Sequence, residues 1–352
     1  MTTTQYKCSL CETNPANQTG SHILTAWLVA SMFDKQKRNR DYEIMYEIAP
    51  FDSSIPFIGR NVSPETIEEQ LGRALTDEET QNQENKIVKD HFLCTNCEKR
   101  FKAIEDEYLH KVHNVLEKFE NESLNVFASE NNYIIRLFFL SQVWRISASK
   151  NFPFSFERKF EERVRELLNK ILDTKAKNIL ENAVIYSTDL LSIPLCIIKS
   201  TKDFAPTSKP LMVNPLSNKP YFLILNDYVL LIYEKESHTR STPHDFYGIS
   251  KFLKKDWINV REKKFKMGYL NNKQWTTVNN KFVIAGRNQR IKNLTTFFIR
   301  IHEHKFGSKP TQESINTFLN SAYNNNLTVG VKYLKENLVK AMNDTLTNKH
   351  SG

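Results

Sequence analysis

Glycine is scarce in this sequence, which has only 9 glycines among 352 residues, under half the usual share of about 7%. No G-x-G-x-x-G or G-x-x-x-x-G-K-[ST] motif occurs, which argues against a Rossmann or P-loop nucleotide enzyme. Long apolar runs are also absent. The strongest run, residues 134–146, contains Arg136 and Arg145 and falls short of the ~18–20 residues that cross a membrane. We therefore expect no membrane partner.

Nucleophile motifs and cysteines are also few. No Gly-x-Ser-x-Gly motif is present, so serine hydrolysis has no support. Four of the five cysteines fall in two CxxC pairs, a pattern typical of a metal site in a reducing compartment rather than of disulfides. The first residues contain no apolar segment of the kind found in signal peptides. We expect a cytoplasmic protein.

The two CxxC pairs are the strongest motif in the chain. Cys8 and Cys11 form the first pair, and Cys94 and Cys97 form the second. Each pair offers two thiolates on a tight turn, and four thiolates complete the tetrahedral shell of a structural Zn²⁺. The alternative is four free thiols. Cys196 lies in an apolar segment and is expected to be a small buried hydrophobe.

Helices are predicted by apolar spacing and by capping residues. Ser63, followed by Pro64, and Thr76, which opens a capping box, are predicted helix starts. The predicted helices with apolar residues at helical spacing or on all sides are 22–33, 98–119, 133–149, 156–171, 312–324 and 331–342.

Strands are predicted mainly after residue 183, where short β-branched and aromatic runs replace the helical pattern. These runs are 193–198, 221–225, 228–233 and 278–285, with Asn226-Asp227 as a hairpin turn. The predicted fold class is α+β: an N-terminal treble-clef zinc module with helical elaboration, followed by a C-terminal antiparallel sheet with helices. The predicted domains are 1–125 and 126–352.

Several motifs around the cysteine pairs resemble a group of HNH-like bacterial proteins, some of which are linked to anti-phage defence. The matching segments are Cys8 and Cys11, Ser21-His22-Ile23, 93–101 with Glu105, and 138–145, which reads Phe-Phe-Leu-Ser-x-x-Trp-Arg. The resemblance covers scattered patches of the first 150 residues.

The resemblance implies a ββα-metal nuclease site on a structural zinc. By position, His22 would be the general base, Glu98 and Glu105 would hold a catalytic Mg²⁺ or Mn²⁺, and Arg100 would contact phosphate. Ser21 stands where HNH enzymes usually have Asp, and Glu98 stands where they usually have Asn or His. The alternatives are a structural or zinc-ligating role for His22 and a solvated helix face for the two glutamates.

Charge is distributed unevenly along the chain. The segment 60–130 has 16 acidic and 9 basic residues, a net charge of −7, whereas 240–309 has 16 basic and 4 acidic residues, a net charge of +12. The predicted nucleic-acid-binding residues in the basic segment are Lys251, Lys254, Lys255, Arg261, Lys263, Lys264, Lys266, Arg287 and Arg290.

Aromatic residues, among them Trp257, Phe265 and Trp275, are interleaved with these cations and could stack bases. The alternative is a solvated basic surface whose aromatic residues lie in the core. DNA is a more favoured partner than RNA, and a protein partner from the same defence operon is also possible.

His110-x-x-His113 has a spacing that could chelate a metal, although such a pair on a charged helix is usually polar surface. Arg145 stands in a very apolar helix and is expected to meet a carboxylate, because an unpaired buried charge is costly.

The sequence thus supports two hypotheses of different classes. The first is an HNH-like metal-dependent DNA nuclease, for which the resemblance suggests a role as a phage-defence effector. The second is a catalytically inactive, zinc-stabilised module that binds nucleic acid or a partner protein. Ser21 and the lack of an Asn at the expected helix position favour the second.

Overall fold

The structure, a computed structural model, describes residues 6–30, 43–44, 47–48, 53–54, 57–58, 74, 87–118, 126–152, 154–200, 211–241, 246–324 and 335–347. The predicted helix starts at Ser63 and Thr76 lie outside these ranges. Within the described residues, no helix is both long enough and apolar enough to span a bilayer.

The elements confirm a mixed α+β fold. The helices are α1 (Ala26–Ala30), α2 (Thr95–Tyr108), α3 (Asn114–Lys118), α4 (Asn132–Ser149), α5 (Arg158–Ile171), α6 (Ala176–Ile185), α7 (Ser187–Leu191), α8 (Asn272–Phe306), α9 (Gln312–Asn324) and α10 (Lys335–Thr347). The strands are β1 (Ser21–His22), β2 (Glu43–Ile44), β3 (Glu47–Ile48), β4 (Ser53–Ser54), β5 (Phe57–Ile58), β6 (Val88–Lys89), β7 (Val126–Ser129), β8 (Leu195–Ser200), β9 (Leu211–Asn218), β10 (Tyr221–Leu225), β11 (Tyr228–Ile232), β12 (Ile258–Asn259) and β13 (Phe265–Leu270).

The chain divides into two compact units. Unit 1 comprises Met1–Lys35 and Asn85–Val278, and unit 2 comprises Gln36–Glu84 and Asn279–Gly352. The domain boundary expected at residues 125/126 lies inside unit 1. There, α2 packs against α4, and β7 pairs with β13, so segments on both sides of residue 125 share one core.

A six-stranded mixed sheet forms the centre of unit 1, in the order β9-β10-β11-β8-β13-β7, with β12 also pairing with β8. The β10–β11 hairpin has the expected turn, and Asn226 has a φ of 57°, a left-handed conformation that asparagine tolerates. All pairings are antiparallel except β13 with β8, which is parallel. The sheet is therefore mixed, whereas an antiparallel one was expected.

Helix α4 is buried almost all round, as its continuous apolar sequence predicts. A cation in such a helix needs partners. The guanidinium of the fully buried Arg136 donates to Asn132 Oδ1 at 2.8 Å, to the Ile193 carbonyl at 2.7 Å and to the Asn259 carbonyl at 2.9 Å. Arg136 thereby ties α4 to the segments that precede β8 and end β12.

Helix α2 continues through a π-helical turn, Leu109–His113, into α3. The helix predicted over 98–119 is thus confirmed as far as the described residues extend. A π turn contains an extra residue, which rotates the helix face beyond it. Leu116 of α3 is consequently buried, whereas Val115, which regular spacing places inward, is 45% exposed.

The prediction of a strand over 278–285 is wrong, because this segment belongs to the 35-residue helix α8. Its β-branched residues suggested a strand. However, Trp275, Val278 and Phe282 are buried at helical spacing, while Ile284 is 55% exposed. Packing of that stripe outweighs β-propensity.

Unit 2 has a small helical core. Phe298 of α8 stacks on Phe318 of α9 with 4.5 Å between ring centroids, and Ala341 and Leu346 of α10 pack in the same cluster. The helix predicted over 312–324 is confirmed. The short strands β2 and β5, and likewise β3 and β4, pair antiparallel in this unit.

Gly268 of β13 is required by close packing. A Cβ atom at this position would lie 2.4 Å from the ring of Trp257, which is 2% exposed.

We expect Gly268→Ala to destabilise the protein by about 1–3 kcal/mol, as overpacking of a core does. Urea unfolding measures the loss. In a Trp257→Leu background, where the ring is removed, the same substitution is expected to cost much less; an equal cost would contradict the steric explanation.

Candidate metal centre and the adjoining polar site

The first cysteine pair lies on a tight loop closed by the backbone. The Cys8 amide donates to the Asn14 carbonyl at 2.9 Å, and the Glu12 amide donates to the Cys8 carbonyl at 2.9 Å. Glu12 has a φ of 54°, which turns the chain sharply after Cys11. This loop lets Cys8 and Cys11 face the same point.

The second pair lies at the start of α2. Cys94 is the N-cap residue, and its Sγ accepts a hydrogen bond from the Cys97 amide at 3.5 Å. Backbone hydrogen bonds hold the two loops together: the Ser9 amide donates to the Phe92 carbonyl at 2.9 Å, and the Gln18 amide donates to the Leu93 carbonyl at 3.1 Å. The two pairs thus meet across a long insertion.

The four sulfur atoms of Cys8, Cys11, Cys94 and Cys97 all lie within 4.8 Å of one another. A tetrahedral zinc site with Zn–S bonds of about 2.3 Å has S–S edges of about 3.8 Å, so the cluster is compatible with a metal ion such as zinc. Among the residues described, no other group of three or more His, Cys, Asp or Glu side chains could hold a metal in this way. The predicted cysteine ligand set is therefore brought together.

Hydrogen bonding within the cluster shifts the pKa values of two thiols in opposite directions, and the bond to Cys8, together with burial, raises the pKa of Cys97. A hydrogen bond from the Cys97 thiol lowers the pKa of Cys8 to about 4, against the effect of burial. Arg100 adds a positive charge, since its Nη1 lies 3.6 Å from Cys97 Sγ. Cys196, in contrast, is buried in β8, and burial raises the pKa of its thiol.

Next to the cluster, β1 and β6 form a short antiparallel pair in which Ser21 faces Lys89 and His22 faces Val88. The pair is followed directly by α2. Ser21 is fully buried, whereas the His22 side chain is exposed and lies outside the cysteine group. The alternative of a zinc-ligating His22 therefore has no support from the geometry.

Glu98, in the first turn of α2, is partly buried beside this strand pair. Burial raises the pKa of its carboxyl, the Arg145 cation lowers it, and the Glu105 carboxylate raises it further. His22 also acts electrostatically on this carboxyl. Within the described part of the chain, Glu98 Oε2 and Ser21 Oγ are buried without a partner of good hydrogen-bond geometry. An unsatisfied buried oxygen is costly.

Glu105, two turns further along α2, forms an ion pair with Arg145 of α4. Arg145 is 1% exposed, and its Nη1 donates to the His22 carbonyl at 3.0 Å. The expectation that Arg145 meets a carboxylate is confirmed. The same guanidinium contacts both the strand that carries His22 and the helix that carries Glu98.

Arg100 makes contacts within the protein. Its Nε donates to the Leu172 carbonyl at 2.8 Å, and its Nη1 donates to Asn169 Oδ1 at 2.9 Å. These bonds join α2 to the end of α5 beside Cys97. A phosphate contact by Arg100 remains a prediction, and it would have to compete with these partners.

The lysines of the basic segment are largely exposed. Lys251, Lys254, Lys255 and Lys263 are exposed, while three other cations form ion pairs: Arg261 with Glu236 at 3.7 Å, Lys264 with Glu130 at 2.5 Å, and Lys266 with Asp256 at 3.4 Å. The side chains of Arg287 and Arg290 are not among those that the structure describes. Nucleic-acid contact by these residues remains a prediction.

The aromatic residues among these cations lie in the core. Trp257 is 2% exposed, and Phe265 and Trp275 are fully buried. They cannot stack on bases without unfolding this region. The alternative in which the aromatics are core residues is therefore correct for these three.

Sequence reasoning missed a buried ionic cluster at the end of β8. The Lys199 ammonium pairs with Asp227, and it also lies 3.3 Å from Glu117 Oε1. His113, considered above as a metal ligand, has its Nδ1 3.3 Å from the Tyr228 hydroxyl, and His110 is exposed. The one sequence signal for this cluster was a lysine at the end of an apolar strand, beside an Asn-Asp turn.

No protein-family model, curated protein or solved structure matches the chain. The interpretation of this site therefore depends on its own geometry and chemistry.

We expect the purified protein to contain one zinc ion per chain, and Cys97→Ala to abolish it. Metal binding to four thiolates stabilises the folded state, so the thermal midpoint should fall with the metal content. Elemental analysis and thermal unfolding measure both. Cys196→Ala is the matched control and should retain the ion; equal metal content in Cys97→Ala and the wild type would contradict the assignment.

Proposed function

We propose that this protein is an HNH-like, metal-dependent nuclease that acts on DNA. The observation that carries the proposal is the order β1, β6, α2. Two antiparallel strands are followed by a helix whose first turn belongs to a four-cysteine cluster. His22 is exposed on the first strand, and Glu98 lies on the helix. A ββα-metal site also consists of two antiparallel strands followed by a helix, and this likeness supports the proposal.

In the proposed reaction, His22 takes a proton from a water molecule as the water oxygen attacks the phosphorus atom. The bond from phosphorus to the leaving oxygen then breaks, the leaving oxygen takes a proton from solvent water, and His22 releases its proton to solvent. Glu98 would hold a divalent cation, Mg²⁺ or Mn²⁺, because a carboxylate oxygen is a hard ligand. When bound, such a cation polarises the phosphate and stabilises the charge that develops on it. Zn²⁺ in the cysteine cluster would be structural.

The exposed lysines of the basic segment would hold the DNA backbone. Lys251, Lys254 and Lys255 are close in sequence and exposed, and each cation that neutralises a phosphate releases counterions. The suggestion of a cytoplasmic phage-defence effector, with a protein partner from the same operon, rests on the sequence resemblance alone.

A second candidate is a zinc-stabilised module that binds nucleic acid or a partner protein without cleaving DNA. Two observations favour it. Glu105 is paired with Arg145, and within the described residues the cysteines are the one group suited to a metal. This candidate predicts DNA binding with no metal-dependent cleavage.

We expect His22→Ala to lower the rate of plasmid cleavage in Mg²⁺ or Mn²⁺ by about 10²–10⁴-fold, the usual contribution of a general base. Agarose-gel assays of nicking measure the rate. His110→Ala removes another exposed histidine and should cleave like the wild type. Equal nicking by His22→Ala and the wild type would refute the assigned mechanism, and binding without any cleavage would favour the second candidate.

We expect the triple variant Lys251→Gln, Lys254→Gln, Lys255→Gln to bind duplex DNA more weakly and with a smaller salt dependence. Each lost phosphate contact should reduce the slope of log K against log [salt] by about 0.9. Fluorescence anisotropy at several salt concentrations measures the slope. The control removes the same charge from the exposed Lys159, Lys175 and Lys177. Equal slopes in the two variants would contradict a specific role for the basic segment.

A further inference from the structure

Helix α4 holds the strand that carries His22 at two points. The fully buried Gln142 accepts a hydrogen bond from the Thr25 amide at 3.0 Å, and Arg145 donates to the His22 carbonyl at 3.0 Å. Residues three apart lie on the same face of a helix. Gln142 and Arg145 therefore lie next to each other on α4, and each forms a hydrogen bond with the segment 22–25.

The C-terminal end of α4 also holds the partner strand. Asn151 Nδ2 donates to the Val88 carbonyl at 3.3 Å, and Lys89 Nζ donates to the Ser149 carbonyl. Strands β1 and β6 have only two residues each, and so short a pair is marginal on its own. The contacts with α4 therefore fix where the pair lies.

Arg145 is costly to bury, and its surroundings show how the cost is offset. Its side chain is 1% exposed, it forms an ion pair with Glu105, and its guanidinium carbon lies 4.9 Å from the centre of the Phe101 ring. A buried cation needs such a counter-ion. The Glu105 carboxylate is thus committed to Arg145.

We infer that Arg145 is the positioning residue for His22, and that Glu105 is the counter-ion of Arg145 rather than a ligand of the catalytic cation. This inference rests on the proposed function. Arg145 fixes the backbone of His22 against α2, so the distance between the imidazole and Glu98 is set by α4. A displacement of about 1 Å can cost roughly 100-fold in rate.

The first test is Arg145→Lys, which keeps the positive charge but loses the planar fork that reaches two acceptors. We expect amide hydrogen exchange in residues 21–25 to accelerate and kcat to fall roughly 100-fold. The half-saturating Mg²⁺ concentration and the zinc content should match the wild type. Arg136→Lys is the matched control: it alters an equally buried arginine of α4 that does not contact β1, and it should leave kcat and exchange in 21–25 unchanged.

The second test separates the two roles of Glu105. Glu105→Gln should lower kcat while the half-saturating Mg²⁺ concentration stays at the wild-type value, whereas loss of a metal ligand would raise it. Glu107→Gln, on the same helix and paired with Lys111, is the control. If Glu105→Gln fails to fold, the double variant Glu105→Gln, Arg145→Gln removes both buried charges and should still show faster exchange in 21–25.

The inference is overturned if Arg145→Lys leaves exchange and kcat at the wild-type values, or if Glu105→Gln raises the half-saturating Mg²⁺ concentration about tenfold or more. An inactive wild type would contradict the proposed function separately. The difference in exchange between Arg145→Lys and Arg136→Lys would then still decide whether Arg145 holds His22.

Discussion

The meeting of four thiols is the constraint on which the site depends. Cys8 and Cys11 are brought to Cys94 and Cys97 across an insertion of 82 residues. Closing so long a loop costs entropy, and a metal ion bound by both ends can offset it. Since Cys94 caps α2, the same cluster sets where that helix begins. The positions of Glu98 and Glu105 follow from the helix start.

A second set of buried polar contacts joins this cluster to the core of unit 1. Arg145 connects α4 to β1 and α2, and Arg136 connects α4 to the sheet segments. Two arginines in an apolar helix are costly, because each buried charge must be compensated. Compensation requires specific partners, however, and such contacts fix the register between elements more narrowly than apolar packing does. In this protein the contacts of Arg145 fix the strand that carries His22.

Much of the fold could be predicted from the sequence because it is locally encoded. The spacing of Phe101, Ile104 and Tyr108 predicted α2, and the CxxC pairs predicted the cysteine cluster. The pairing of Glu105 with Arg145 could not be predicted, since it joins residues 40 positions apart and the sequence shows only that Arg145 needs a carboxylate. The parallel contact of β13 with β8 likewise depends on tertiary packing. The burial of Trp257 could not be predicted, because the basic residues near it in the sequence suggested an exposed surface.

In the proposed mechanism, His22 and a cation at Glu98 act on one phosphodiester group. The most direct test is single-turnover cleavage of DNA with sulfur in place of one non-bridging phosphate oxygen, by zinc-loaded protein. A cation that contacts this oxygen makes cleavage slow in Mg²⁺ and restores it in the more thiophilic Mn²⁺ or Cd²⁺. The account predicts this rescue in the wild type and its loss in Glu98→Ala. Equal rates in Mg²⁺ for the oxygen substrate and both sulfur diastereomers, or rescue that persists in Glu98→Ala, would contradict it.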